Sequence, residues 1–154
     1  MAPARACPIN RRLAQILLAS ALAAASAAGP ARADENSDRC FKEEGEAAIA
    51  ACTRAIQSAR FSGGTLAAIY HNRAIELRQD GDYERAIADY SQAIHIDAEF
   101  TGAYAGRGLA LEGKGEVEKA KTDYRKALAM APKYDDGPWA HAMASARLKA
   151  LGEN

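Results

Sequence analysis

The chain has 154 residues, 49% hydrophobic but only 6% aromatic, with 20 basic and 20 acidic side chains and a formal net charge of zero. That length fits one modest domain and excludes a large multidomain enzyme. No concentrated basic face appears, which excludes nucleic acid and anionic lipid as nonspecific partners.

Residues 1–33 read as a secretory signal. Arg5, Arg11 and Arg12 form a cationic start, Leu13 to Ala28 is an uncharged Leu/Ala run, and Ala31-Arg32-Ala33 offers an A-x-A site before Asp34. The run of about 16 residues falls short of the roughly 20 that span a bilayer, which counts against the other reading of this segment, a retained anchor. Arg11-Arg12 hints at twin-arginine export, but Leu13, Ala14 and Gln15 add little, so general export is expected. No cysteine near the cleavage site offers a lipid attachment point. Cleavage after Ala33 leaves about 121 residues and, with four arginines gone, a net charge of about −4. The expected location is periplasmic or secreted, the alanine-rich signal having a bacterial look, with no stable membrane insertion after cleavage.

Cys7 leaves with the signal, so Cys40 and Cys52 remain. An even pair in an exported domain is most simply a structural disulfide, with two buried thiols as the alternative. The spacing is wrong for a C-x-x-C redox pair, and two cysteines without a neighbouring histidine cannot complete a zinc site.

Residues 34–64 read as a degenerate half-repeat carrying this disulfide. Glu46 to Ala59 places Ala48, Cys52 and Ala55 where a later helix has Ala86, Tyr90 and Ala93, whereas Asp34 to Glu44 lacks a Leu or Tyr series. From Thr65 onward apolar residues recur at three and four positions, with breaks at Gly81-Asp82, Thr101-Gly102, Gly113 to Gly115 and Pro132. The mature chain is therefore expected to be all-α. A shift of 34 residues lays Ala67 to Phe100 over Thr101 to Tyr134, matching Tyr70 with Tyr104, Arg73 with Arg107, Leu77 with Leu111, Gly81 with Gly115, and Asp89-Tyr90 with Asp123-Tyr124. Residues 65–134 thus hold two helical hairpins, with small residues at Ala74/Gly108 and Ala86/Ala120 where helices approach closely. Gly81 and Gly115 suit left-handed helix ends, and Asp82 suits an N-cap. Residues 135–154 form a capping helix, with Pro138 in its first turn. Trp139, Met143, Ala146 and Ala150 are expected against the last hairpin, Trp139 as a core anchor, with Arg147, Lys149 and Glu153 on the outside.

The runs Asn72-Arg73-Ala74, Gly81-Asp82-Tyr83-Glu84-Arg85-Ala86-Ile87-Ala88-Asp89-Tyr90 and Ala93-Ile94-His95-Ile96-Asp97 resemble a tetratricopeptide repeat. The second unit departs from it in having Val117 at the usual aromatic position and Gly106, Gly108 and Gly113 in its first helix. The resemblance implies a short right-handed superhelix of hairpins, with a concave groove that holds a protein or peptide segment. It places His71, Asn72, Ile75, Arg78 and Gln79 in that groove from one unit, and Ala105, Leu109 and Glu112 from the next, beside Ala68, Gly102 and Gly106.

Asn72 is the leading groove residue, since an amide both donates to and accepts from a ligand main chain; it can equally bond an adjacent helix. Arg78 can meet a ligand carboxylate or stay solvated. The family's clamp for acidic chaperone tails is not matched: His71 and Ile75 stand where Lys and Asn are expected, and Gly102 and Gly106 replace later basic residues. No catalytic residues, cofactor or metal site is expected, because His71, His95 and His141 lie on separate helices and no H-E-x-x-H, nucleophile elbow or G-K-[ST] loop is present. The expected function is an exported adaptor or assembly factor; the alternative is a self-associating scaffold whose incomplete first repeat another copy covers.

Overall fold

In the computed structural model, residues 30–153 are described. The expected signal lies outside them except for its last four positions, which open the first helix. Among the described residues there are seven helices and no strand: α1 (Pro30–Lys42), α2 (Gly45–Gln57), α3 (Gly63–Gln79), α4 (Tyr83–Ile96), α5 (Thr101–Gly113), α6 (Val117–Leu128) and α7 (Gly137–Ala150).

The helix ends follow from local chemistry. Gly81 and Gly115 have φ of 80° and 86°, and each lies in the same paired closure: Asp82 N bonds Leu77 O and Gly81 N bonds Arg78 O, just as Glu116 N bonds Leu111 O and Gly115 N bonds Glu112 O. This Schellman arrangement satisfies the last carbonyls of the first helix in each hairpin. The Asp82 carboxylate accepts from Arg85 N at 3.2 Å and caps α4. One break falls elsewhere than expected: Thr101 and Gly102 open α5 rather than precede it. Thr101 is fully buried and its hydroxyl donates to Ala131 O at 3.1 Å, tying the start of α5 to the end of the same hairpin.

α3 packs on α4 and α5 on α6 as antiparallel hairpins, and α5 also touches α3 and α7, so that α3, α5 and α7 form one layer and α4 and α6 lie in the other. The seams are alanine with buried tyrosine: Ala74, Ala86, Ala93, Ala120 and Ala127 are fully buried beside Tyr90 and Tyr124. A Cβ added at Gly108 would lie 2.5 Å from the Tyr124 ring. A Gly108→Ala variant is therefore expected to lose roughly 1 kcal/mol net in urea denaturation, overpacking of about 1–3 kcal/mol less up to about 1 kcal/mol of helix propensity.

In the first segment α1 and α2 are linked at Cys40 and Cys52, whose sulfurs lie 2.10 Å apart and which are both fully buried against Ala51, Ala55 and Ile69. The cap needs a correction: Ala140, Ala144 and Leu148 face the core, whereas Trp139 is 46% exposed and Ala146 and Ala150 are exposed. Small residues at 140 and 144 let α7 lie close to Ala105 and Ala127, which an indole at that seam would prevent. Arg147 is not on the outer side either, since it pairs with Glu112 of α5.

Candidate functional site

The residues expected to line the groove lie on α3 and α5, and α5, the middle helix of the α3–α5–α7 layer, is short of side chains. A Cβ at Gly102 would meet the Asp136 carboxylate at 1.8 Å, one at Gly106 the Tyr90 ring at 2.5 Å, and one at Gly113 the Tyr83 ring at 2.5 Å. The floor over α5 is thus filled by neighbours reaching in from α4 and from the start of α7.

The eight expected groove residues divide into two sets. His71 is 8% exposed, tilted against Phe100 at 4.6 Å and edge-on to Tyr90 at 5.5 Å by ring centroids, with Nε2 3.6 Å from Asp136 Oδ2. Ala105 is fully buried in the α5–α7 packing. Asn72 Nδ2 donates to Cys40 O at 2.6 Å, so its amide bonds the adjacent helix. Gly102 and Gly106 are buried as well. Ile75, Arg78, Gln79, Leu109 and Glu112 stay at least partly accessible.

The two ends of the α3–α5–α7 layer differ. Asp136 crosses α5 at Gly102 and reaches His71 on α3, which shuts the end nearest the helix starts. The Asp136 oxygens are buried without a hydrogen-bond partner, and burial pushes this carboxyl above its ordinary range. Burial drives the His71 imidazole down to about 4, against a smaller upward effect of its bond with the Gly102 backbone. Between the unfolded value of about 6.5 and about 4 the unfolded chain binds a proton that native His71 refuses. Stability therefore rises with pH across that window, by up to about 1.4 kcal/mol per pH unit from this group. A His71→Phe variant should flatten that part of the urea-midpoint profile.

At the open end a depression of about 440 Å³ is lined by Arg78, Tyr83, Leu109, Glu112, Gly113, Met143 and Arg147. Glu112 is held by Arg147, whose Nε lies 3.1 Å from Oε2 and whose Nη2 contacts Oε1, and it accepts from the Tyr124 hydroxyl at 2.9 Å. The Arg147 bond keeps the Glu112 carboxyl below its usual range. Arg78 is different. Arg73, Arg107 and Arg147 each hold a carboxylate, but Arg78 has no ion-pair partner among the described residues, and its Nε is buried without a hydrogen bond. Its side chain bonds the hydroxyl of Tyr90, which burial pushes up to about 12 with the charge and hydrogen bond of Arg78 opposing the shift.

Met143 and Arg147 were not among the expected groove residues. Their signal was the four-residue spacing of Trp139, Met143 and Arg147, which puts all three on one stripe of α7. A larger depression of about 550 Å³ lies between α4, α5 and α6, but its Arg107 and Asp123 already satisfy each other. Among the described residues no cluster of three or more His, Cys, Asp or Glu could hold a metal ion, and no helix is long and apolar enough to cross a membrane.

Comparison with known proteins bears on the groove. A family model described as TPR repeat matches residues 75–115, and one described as tetratricopeptide repeat matches residues 102–134. The second TPR domain of human RPAP3, solved with the HSP70 peptide SGPTIEEVD, is 30% identical; the match covers 74% of this chain and 95% of that one, with a TM-score of 0.59. The second TPR of Spaghetti (RPAP3), bound to the HSP90 peptide SRMEEVD, is 34% identical over 66% of this chain and 88% of that one, with a TM-score of 0.56. The Arabidopsis OM64 TPR domain shares the fold at 22% identity, with a TM-score of 0.60 over 75% of this chain and 96% of that one. No curated protein matches the chain in sequence.

Proposed function

The chain belongs to the tetratricopeptide repeat family, and we propose that it is an exported adaptor or assembly factor of the cell envelope that holds a segment of another protein in the open end of its α3–α5–α7 groove. The observation that carries this reading is the depression itself: apolar Leu109 and Met143 beside the Arg78 guanidinium, whose Nε has no hydrogen-bond partner, on a layer whose other end is closed. Two solved relatives hold peptides, which supports a protein-binding module and no enzymatic role. Gly102 and Gly106 supply no cation and His71 is buried, which disfavours a seat for those acidic tails in this layer.

Export rests on residues 1–33, and the Cys40–Cys52 pair fits an oxidising compartment. Protein recovered from the envelope or the medium is expected to begin at Asp34 and to contain no free thiol, as intact mass with and without alkylation reports. A photo-crosslinking side chain at exposed Gln79 should give discrete adducts in envelope extracts, while the same group at exposed His95 on α4 should not. Equal adduct patterns from the two positions would remove the groove assignment.

A further inference from the structure

We infer that two copies of this chain pair through the outward face of α7, the two helices running antiparallel about a twofold axis that passes beside Ala142. This face is where the fold leaves packing undone. The first six residues of α5 are all buried, because α3, α4, α6 and α7 pack around that helix. α7 is packed on one side, by α5 and α6, and buries Ala140, Ala144 and Leu148 there. At about 100° per residue, Trp139, Ala142, Ser145 and Ala146 fall within about 60° of a line through Ala142, opposite that buried set. All four are exposed, Trp139 at 46%. The last helix of a stack stays soluble through a polar outer side, whereas this one presents an indole and small residues.

The occupant follows from the pattern of the face, which is complementary to itself. In an antiparallel pair centred on Ala142, position 139 of one copy lies opposite position 145 of the other, and position 135 opposite position 149. Each Trp139 ring then meets the small side chains of Ser145 and Ala146, while Ala142 lets the two backbones approach closely. Charge agrees with shape. Asp135, just ahead of the helix, and Lys149, in its last turn, are exposed and have no ion-pair partner among the described residues. The antiparallel pair sets Asp135 of each copy against Lys149 of the other. A parallel pair would instead oppose Trp139 to Trp139 and Lys149 to Lys149, with the helix dipoles side by side in the same sense. Because the same patch serves both copies, the contact closes at two. Met143 and Arg147 lie about 100° or more round the helix from Ala142, off the paired stripe. One helix from each copy makes a small contact, below about 1,200 Å², so dimerisation is expected in the micromolar range.

Sedimentation equilibrium of the full chain, from low micromolar to near-millimolar concentration, tests the pairing and is expected to show monomer and dimer in exchange. Ala142→Glu, which brings two carboxylates together on the axis, should abolish the dimer. Lys149→Asp should weaken it about tenfold, and adding Asp135→Lys should restore it. Single added cysteines read the geometry: Ala142→Cys is expected to crosslink to its own counterpart under mild oxidation. Ala150→Cys should not, since eight residues from the axis in each copy put the two thiols about 24 Å apart along the pair. A strict monomer at the highest concentration, or a dimer indifferent to both Ala142→Glu and the charge swap, would overturn the inference. So would Ala150→Cys crosslinking as readily as Ala142→Cys, the mark of a parallel pair. The charge swap decides the matter if circular dichroism shows Ala142→Glu unfolded.

Discussion

An Asp89→Ala variant is expected to lose about 3–5 kcal/mol of stability, the range for breaking one side of a buried pair. Arg73 grips Asp89 with two bonds, Nε to Oδ2 at 2.6 Å and Nη2 to Oδ1 at 2.8 Å, and spends Nη1 on Thr53 Oγ1 at 2.9 Å. Asp89 is 6% exposed, so water cannot take the place of the lost carboxylate. The same unit recurs one repeat later, where Arg107 holds Asp123 at 2.7 and 2.9 Å and reaches Ser91 Oγ at 3.0 Å. Each arginine thus ties a hairpin together and fastens it to the hairpin before. Replacing both partners by apolar groups of similar size, Arg73→Met with Asp89→Leu, should cost much less than Asp89→Ala alone, because no charge is left behind. Urea denaturation of the single and double variants measures the difference. A loss below about 1 kcal/mol for Asp89→Ala would mean the pair behaves as a solvated surface pair.

Reduction of the Cys40–Cys52 bond is expected to cost about 3 kcal/mol in the chain-entropy account of a loop this short, and to lower the melting temperature by roughly 10 °C for a domain of this size. The loss should be local first. Among the described contacts, α1 is held by the sulfur bridge, by Asn72 bonding Cys40 O, and by an exposed bond from Arg54 to Asn36. Its buried contribution to the Ile69 cluster is Cys40, and Phe41 is 47% exposed. Hydrogen exchange should therefore quicken across 36–42 on reduction while the amides of α4 to α6 keep their protection. An unchanged melt after reduction would show that packing alone holds α1.

Much of the architecture was legible because it repeats. Tyr90 and Tyr124, Ala86 and Ala120, and Gly81 and Gly115 keep the same roles 34 residues apart, and two copies of a weak pattern reinforce each other. The ion pairs lay in the same alignment, Arg73 over Arg107 and Asp89 over Asp123, but pairing across a hairpin depends on the helix crossing and not on spacing along the chain. The register of α7 was hidden for a different reason. With Ala140, Ala142, Ala144 and Ala146 at alternate positions, several faces are equally smooth, and partners on other helices, Ala105 and Glu112, select among them. Closure of the groove was harder still, because it depends on Gly102 leaving room for an acid 34 positions away. Asn72 shows the limit at a single residue: its amide could serve a ligand or a neighbouring helix, and the placement of Cys40 O decides for the helix.

Docking at the open end of the α3–α5–α7 layer is checked by amide shift mapping on the nitrogen-labelled chain, titrated with the partner segment recovered by crosslinking at Gln79. Perturbations are expected to centre on Arg78, Leu109, Gly113 and Met143 and to fade toward Gly102 at the closed end. Perturbations centred instead on Glu84, Ile87 and Lys114, in the depression between α4, α5 and α6, would contradict it.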